Sequence, residues 1–302
     1  MGAQLRLLRR RVSAVKSIAK VTRAQELIAS SRIMKAQQRV AAAVPYEREI
    51  TRAVTAVLSN SASVDHPLTA TVENPTRAAV LVVTSDRGFC GGFNAAVLRE
   101  TEALAGLLRG EGIEPTPFVT GRKGLAWHRF RGREMGGEWD GFSDNPAYAD
   151  AKRIAETLIE AFRKPADEGG VDEIHIVYTQ FISMLTQKVQ VTRVLPLQVE
   201  EAEVESSEVP PYYEFEPSAE AVLNELLPRY VESRIYNALL QSAASELAAR
   251  RRAMKSATDN ANEMIDVLTR EMNQARQAEI TQEISEIVGG ANALADASAG
   301  KE

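Results

Sequence analysis

The densest group of residues that could do chemistry is Ser85–Asn94, SDRGFCGGFN, which directly follows the apolar run Ala78–Thr84 (AAVLVVT). A glycine-rich turn between a buried strand and a helix gathers backbone N–H groups at a helix N-terminus, an arrangement that attracts phosphate and other anions. The turn has no G-x-G-x-x-G spacing, however, and no G-x-x-x-x-G-K-[ST] occurs anywhere in the chain. Its glycines read instead as a tight turn that lets strand and helix pack closely. Asp86 and Arg87, side by side, suit protein contact as well as chemistry. Phe89 and Phe93 on the same turn favour a protein interface.

No other constellation competes. Ser85 lacks a nucleophile-elbow context, and Cys90 has no base beside it in sequence. His66, His128 and His175 are scattered with no i, i+4 pair, so they read as core or surface residues rather than metal ligands. Carboxylates are plentiful, but they fall on helix faces or in Glu200–Pro217, where solvation accounts for them. The expectation is a chain with no catalytic residue, no cofactor and no metal of its own. Cys90 is the single cysteine, which excludes an internal disulfide and fits a reducing cytoplasm. No apolar run approaches the roughly 18 residues that cross a bilayer, and no signal peptide is expected at Met1–Arg11.

The elements that would position this turn are unusual in their distribution. There is no Gly or Pro between Ala3 and Val44, and none between Arg229 and Val288. As helices these stretches would run roughly 60 and 90 Å at about 1.5 Å per residue, far beyond the mean globular helix of about 11–12 residues. Rods of that length are buried only against each other or against another protein. The first carries apolar residues at three- and four-residue steps, from Leu5, Leu8, Val12 and Val15 through Ile18, Val21, Leu27 and Ile28 to Ile33 and Met34. Past Pro45 the pattern resumes, so the rod either continues with a kink or ends near Asn60. The second carries a heptad series, Leu240, Leu247, Met254, Ala261, Leu268 and Ala275, interleaved with Ala244, Arg251, Thr258, Ile265 and Met272. Its many alanines let helices approach closely, and an antiparallel coiled coil of the two termini is the simplest arrangement.

Between the rods the pattern alternates. Ala78–Thr84 reads as a buried parallel strand, Ala95–Arg109 as a helix, Thr116–Thr120 as a strand and Lys123–Phe130 as a helix. Ala147–Arg163 then reads as an amphipathic helix, and Ile174–Phe181 with Val189–Val199 as an antiparallel pair. This is the pattern of a small doubly wound α/β domain. The expected layout is a coiled-coil helix over 1–60, a Rossmann-like α/β domain over 75–200, an acidic linker over 201–217, a second coiled-coil helix over 218–288 and a flexible tail over 289–302.

The net charge of −5 hides an asymmetry: residues 1–50 carry eleven Lys/Arg against three Glu, whereas residues 197–232 carry ten Glu against Arg229. A basic helix can serve a nucleic acid or be the solvated face of a helix set among acidic protein partners. Residues 1–45 lack aromatic side chains to stack bases, which favours a protein partner. Two other readings stand beside it: an α/β nucleotide-binding protein, and an RNA-binding protein with a helical arm.

Three segments carry a resemblance to a known family, the γ subunits of bacterial F-type ATP synthases. They are Arg10–Gln37 (RRVSAVKSIAKVTRAQELIASSRIMKAQ) with its Lys-x-Thr-x-Ala core, the SDRGFCGGFN turn, and Met254–Leu294 (MKSATDNANEMIDVLTREMNQARQAEITQEISEIVGGANAL). The stretch Glu111–Glu173 is less similar. The resemblance implies an antiparallel coiled coil inside the ring of α and β subunits, with a Rossmann-like domain seated on the ε subunit and the membrane c-ring. It implies a central rotor stalk without catalysis of its own, which passes proton-driven rotation of the ring to catalytic sites on β. The location it implies is peripheral, on the cytoplasmic side of the bacterial plasma membrane, with no lipid insertion and no nucleic acid.

Carried over by motif, Cys90 and its turn (Arg87, Phe89) are expected against a β lever loop, and Arg276 and Gln277 at a β loop near the top of the shaft. Ile280, Ile284, Ile287 and Val288 are expected to turn as an apolar tip in an apolar sleeve. The chain departs from the family at Gln25, where Met is frequent, and at Arg251–Arg252 after Arg250, where an apolar pair is frequent. Gln25 and the three arginines are expected to form one polar patch under the β levers.

Overall fold

The computed structural model describes residues 3–60, 68–69, 72, 74–165, 168–197, 215–216 and 218–299. Helix α1 spans Ala3–Asn60 and helix α5 spans Ala219–Ala299. Packing divides the chain into a unit of Met1–Ile28 with Arg252–Glu302 and a unit of Ala29–Arg251.

The larger unit is built on a five-stranded sheet of order β3-β2-β1-β4-β5. Its strands are β1 (Arg77–Val83), β2 (Glu114–Thr120), β3 (Gly137–Trp139), β4 (Glu173–Phe181) and β5 (Gln187–Leu195). The β1–β2, β1–β4 and β2–β3 pairs are parallel and the β4–β5 pair antiparallel. β1 is buried from Ala78 onward, as its unbroken apolar run requires of a strand covered on both faces. Pro115 and Pro117 have no N–H to give, and β3 pairs with β2 only from Phe118.

Helices α2 (Phe93–Gly110) and α3 (Arg122–Phe130) are set by the same alternation. Val97, Leu98, Leu108 and Leu125 of these helices pack on Val80, Val82 and Val119 of the sheet. A second core holds Ala79, Leu81 and Ile176 with Ile154 and Leu158 of α4 (Tyr148–Arg163), Val54 and Val57 of α1, and Leu223–Leu239 of α5. Burial of Val54 and Val57 beyond Pro45 helps offset the roughly 3 kcal/mol that an interior proline costs a helix. Farther along the same helices Ile33 and Ala36 meet Ala244, Leu247 and Ala248, while Glu47 accepts from Arg234 at 2.8 Å and from Asn237. Residue numbers rise on one helix as they fall on the other, so the helices pair antiparallel.

The smaller unit is a two-helix antiparallel pair. Leu8 and Val12 pack against Leu268, and Thr22 Oγ1 lies 2.7 Å from Thr258 Oγ1. Of the heptad series on α5, Leu240, Leu247, Met254, Ala261 and Leu268 are buried and Ala275 is half-buried. The stripe on α1 is only partly so, with Leu5, Leu8, Val12 and Ile33 inside but Ile18, Val21, Leu27, Ile28 and Met34 exposed.

Two boundaries differ from expectation. α5 continues through Gly289 and Gly290 to Ala299, where a tail was expected past Val288. Each glycine costs a helix about 1 kcal/mol, but the flanking Ala–Asn–Ala–Leu–Ala run is rich in the best helix former. β3 was not expected, because three residues reading Gly–Glu–Trp carry no strand periodicity. Of the expected acidic linker, residues 201–214 and 217 lie outside the described residues, as do 166–167 in the Lys164–Gly170 loop.

Candidate functional site

The Ser85–Asn94 turn leaves the sheet at the C-terminal end of β1, where α/β domains hold anionic ligands. Here the turn binds its own chain. The Asp86 carboxylate accepts the N–H of Arg122, first residue of α3, at 3.2 Å, and those of Gly141 and Ser143 at 3.0 Å each. Burial pushes this carboxyl up, but the N–H groups of Ser143, Gly141 and Arg122 outweigh it and hold the group below its ordinary value. The backbones close tightly around the knot: Gly121 has φ +91°, and a Cβ there would stand 2.3 Å from the Thr84 carbonyl oxygen. Asn94 Oδ1 accepts from the Ser85 N–H at 2.9 Å, and its Nδ2 lies 3.2 Å from Cys90 Sγ.

Within the turn, side chains expected on one surface separate. Arg87 is exposed, and Phe89 is 81% exposed with φ +61°, a conformation bulky residues rarely hold. Cys90 points the other way: only 2% exposed, it packs with Phe93 and Ala249. Its expected place on a contact surface is corrected to an inward one, because a turn passing through left-handed φ at Phe89 and Gly91 reverses the side-chain direction.

Arg250 is corrected in the same way. It is buried, donates to Glu246 Oε1 at 2.7 Å, and reaches the carbonyl oxygens of Arg87 and Gly88 at 3.3 and 3.4 Å. Burial pushes the Glu246 carboxyl above its ordinary value, against the pull of Arg250. Glu246 itself was missed, since an i, i+4 Glu–Arg pair reads in sequence as surface.

Beside the turn, an open groove of about 480 Å³ is lined by Arg32, Lys35, Arg39 and Arg87 together with Asp144 and Asn145. Arg32 pairs with Asp144, and Arg39 donates to Asn145 Oδ1, to the Pro146 carbonyl and to Tyr236 Oη. The basic face expected on α1 is thus partly committed to the loop after β3. Only the excess of Lys/Arg over acid in residues 1–50 signalled it.

The remaining expected residues lie on open helix faces. Gln25 is exposed in the two-helix unit, as is Arg252, while Arg251 is half-buried in the larger unit. Arg276 and Gln277 are exposed one after the other, and Ile280, Ile284, Ile287 and Val288 follow with 45, 56, 71 and 53% of their surface open. Among the described residues no group of three His, Cys, Asp or Glu is placed to hold a metal ion. Among the described residues no helix is long and apolar enough to cross a membrane.

A sheet domain whose anion position is filled by its own carboxylate, with a two-helix rod bearing exposed apolar side chains, belongs to the class of proteins that work through surfaces and mechanics. Residues 4–294 match the family model described as ATP synthase. The chain is similar to the ATP synthase gamma chain of Acidothermus cellulolyticus, 63% identical over 97% of this chain and 98% of that one. It is likewise similar to that of Streptomyces avermitilis, 58% identical over the full length of both. In fold it matches a chain of the Euglena gracilis mitochondrial ATP synthase (OSCP/F1/c-ring, rotational state 3), with TM-score 0.67 and 16% identity over 97% of this chain and 95% of that one. The chain belongs to the ATP synthase family, among the γ chains: a non-catalytic subunit with the role of rotor stalk.

Proposed function

We propose that the two-helix unit turns inside the ring of α and β subunits of a proton-translocating synthase, and that the α/β domain is seated on ε and the c-ring on the cytoplasmic side of a bacterial plasma membrane. Rotation of the c-ring then reaches the catalytic sites of β through this chain. The observation that carries the reading is the row of large apolar side chains left open on a slender helix pair, among them Ile18, Val21, Leu27, Met264, Ile284 and Ile287. A rod so exposed would associate without control in water, and a surrounding sleeve removes that cost.

The charged surface suits the same task. One shaft in a threefold ring must differ from side to side, and each contact must break at every step. Exposed ion pairs worth about 0.2–1 kcal/mol meet that requirement better than buried apolar knobs. Arg87 and Phe89 of the turn, with the groove of Arg32 and Lys35, are read as a seat for acidic β lever loops. Gln25 and Arg252 of the two-helix unit are read as polar contacts for those levers, and Arg276 and Gln277 as hydrogen-bond donors to a β loop. Ile280, Ile284, Ile287 and Val288 are read as the bearing tip.

Native mass spectrometry of the chain mixed with purified α3β3, with ATP turnover followed in parallel, tests this. One copy per hexamer with altered, cooperative turnover is the expected outcome. No complex, or several copies per hexamer, would return the nucleotide-binding and RNA-binding readings.

A further inference from the structure

We propose that the α/β domain carries a complete oxyanion cradle that the chain fills permanently with its own Asp86 carboxylate, and that this filled cradle clasps the sheet to both long helices. The argument begins with position. Parallel strands β1, β2 and β3 end at one edge, and the loops leaving them meet there. A doubly wound domain gathers its ligand at such an edge, with an anion on a helix N-terminus. At that place stands the Asp86 carboxylate: one oxygen takes the Arg122 N–H of α3, the other the Gly141 and Ser143 N–H groups of the loop after β3. The Ser143 hydroxyl in turn accepts the Asp86 N–H at 2.9 Å. Three backbone donors from two separate loops converge on one carboxylate, which neither a neutral side chain nor a hydroxyl could satisfy.

The consequence is mechanical. The loop fixed by Gly141 and Ser143 continues into Asp144, Asn145 and Pro146, which take Arg32 and Arg39 of α1. From the residue next to Asp86, the Arg87 carbonyl takes Arg250 of α5. A single internal anion thus orders the loop ends that reach Arg32 and Arg39 of α1 and Arg250 of α5, adding to the apolar core that the sheet shares with both helices. This follows from the larger unit alone and does not rest on the rotor reading, so the two can fail separately.

Hydrogen exchange on the full-length chain tests it. Asp86→Asn is nearly isosteric but replaces one acceptor oxygen with a donor, so exchange at Gly141, Ser143 and Arg122 should rise about tenfold or more, the equivalent of a lost charge-assisted hydrogen bond. Asp86→Ala should behave the same way, and added formate, a free carboxylate of the size removed, should restore protection in Asp86→Ala but leave the wild type unchanged. Wild-type protection in Asp86→Asn would show that shape rather than the anion holds the loops and would overturn the proposal. Raised exchange in Asp86→Ala that formate does not lower would equally overturn the cradle. Should Asp86→Ala fail to fold, Asp86→Asn decides.

Discussion

The two units of this chain put their apolar residues to opposite uses. In Ala29–Arg251 most of the apolar burial closes cores on the faces of the sheet, with Leu81, Ile154, Leu158, Ile174 and Leu223 fully buried, although Phe89, Phe130 and Leu185 stand open. In Met1–Ile28 with Arg252–Glu302, the described residues bury a thin seam that includes Leu5, Leu8, Val12, Met254, Ala261 and Leu268, and residues as large as Leu27 and Ile287 stand open. The first pattern maximises stability in isolation. The second leaves large apolar side chains open on the helices. Fold energy and working surface are therefore separable here, and mutations should separate them.

The largest effect is expected in the larger unit, at Arg250. Its replacement by alanine leaves Glu246 buried beside the Arg87–Gly88 turn without its cation, which should cost about 3–5 kcal/mol in urea unfolding. Adding Glu246→Gln to that variant should recover much of the loss, because the stranded charge is then gone. Next comes the core itself. Leu158→Ala should cost about 2–5 kcal/mol, whereas Ile284→Ala on the open helix should change stability by less than about 0.5 kcal/mol while loosening binding to α3β3. Equal destabilisation by the two would erase the contrast between the units.

A pH series sharpens the comparison at Asp86. Its folded carboxyl lies below the ordinary value, so it contributes stability that is present above the unfolded value of 3.8 and lost as pH falls through the folded value. The stability gap between wild type and Asp86→Asn should be full at neutral pH and close in acid below 3.8. A gap that does not change with pH would remove the carboxylate charge from the account. Smaller again is Phe89→Gly. It relieves a left-handed φ of 61° on a bulky residue, so thermal stability should hold or rise by up to about 1 kcal/mol, while ring binding weakens.

What the sequence discloses follows the same division. Periodic burial is legible: AAVLVVT marks β1, and the heptad positions Leu240, Leu247, Met254, Ala261 and Leu268 of α5 are buried. Features fixed by a single backbone angle or a distant partner are not. Cys90 turns inward because Phe89 sits in left-handed φ, which no composition rule anticipates for phenylalanine. Glu246 with Arg250 has the spacing of an exposed helix pair, and only the approach of the Arg87–Gly88 carbonyls makes it interior. Asp86 was legible as a charged turn residue, but its donors lie 36 to 57 positions away. The α1 stripe misleads in the opposite sense: Ile18, Val21 and Leu27 look like core and are surface.

The central claim is that this chain turns. It is tested most directly by fixing α3β3 to a surface and attaching a gold bead to α2 through Glu100→Cys, a position exposed where native Cys90 is buried. With ATP supplied, the account predicts rotation of the bead in one sense, pausing at each third of a turn as the shaft meets successive β subunits. Sustained ATP hydrolysis beneath a bead that does not rotate would contradict it.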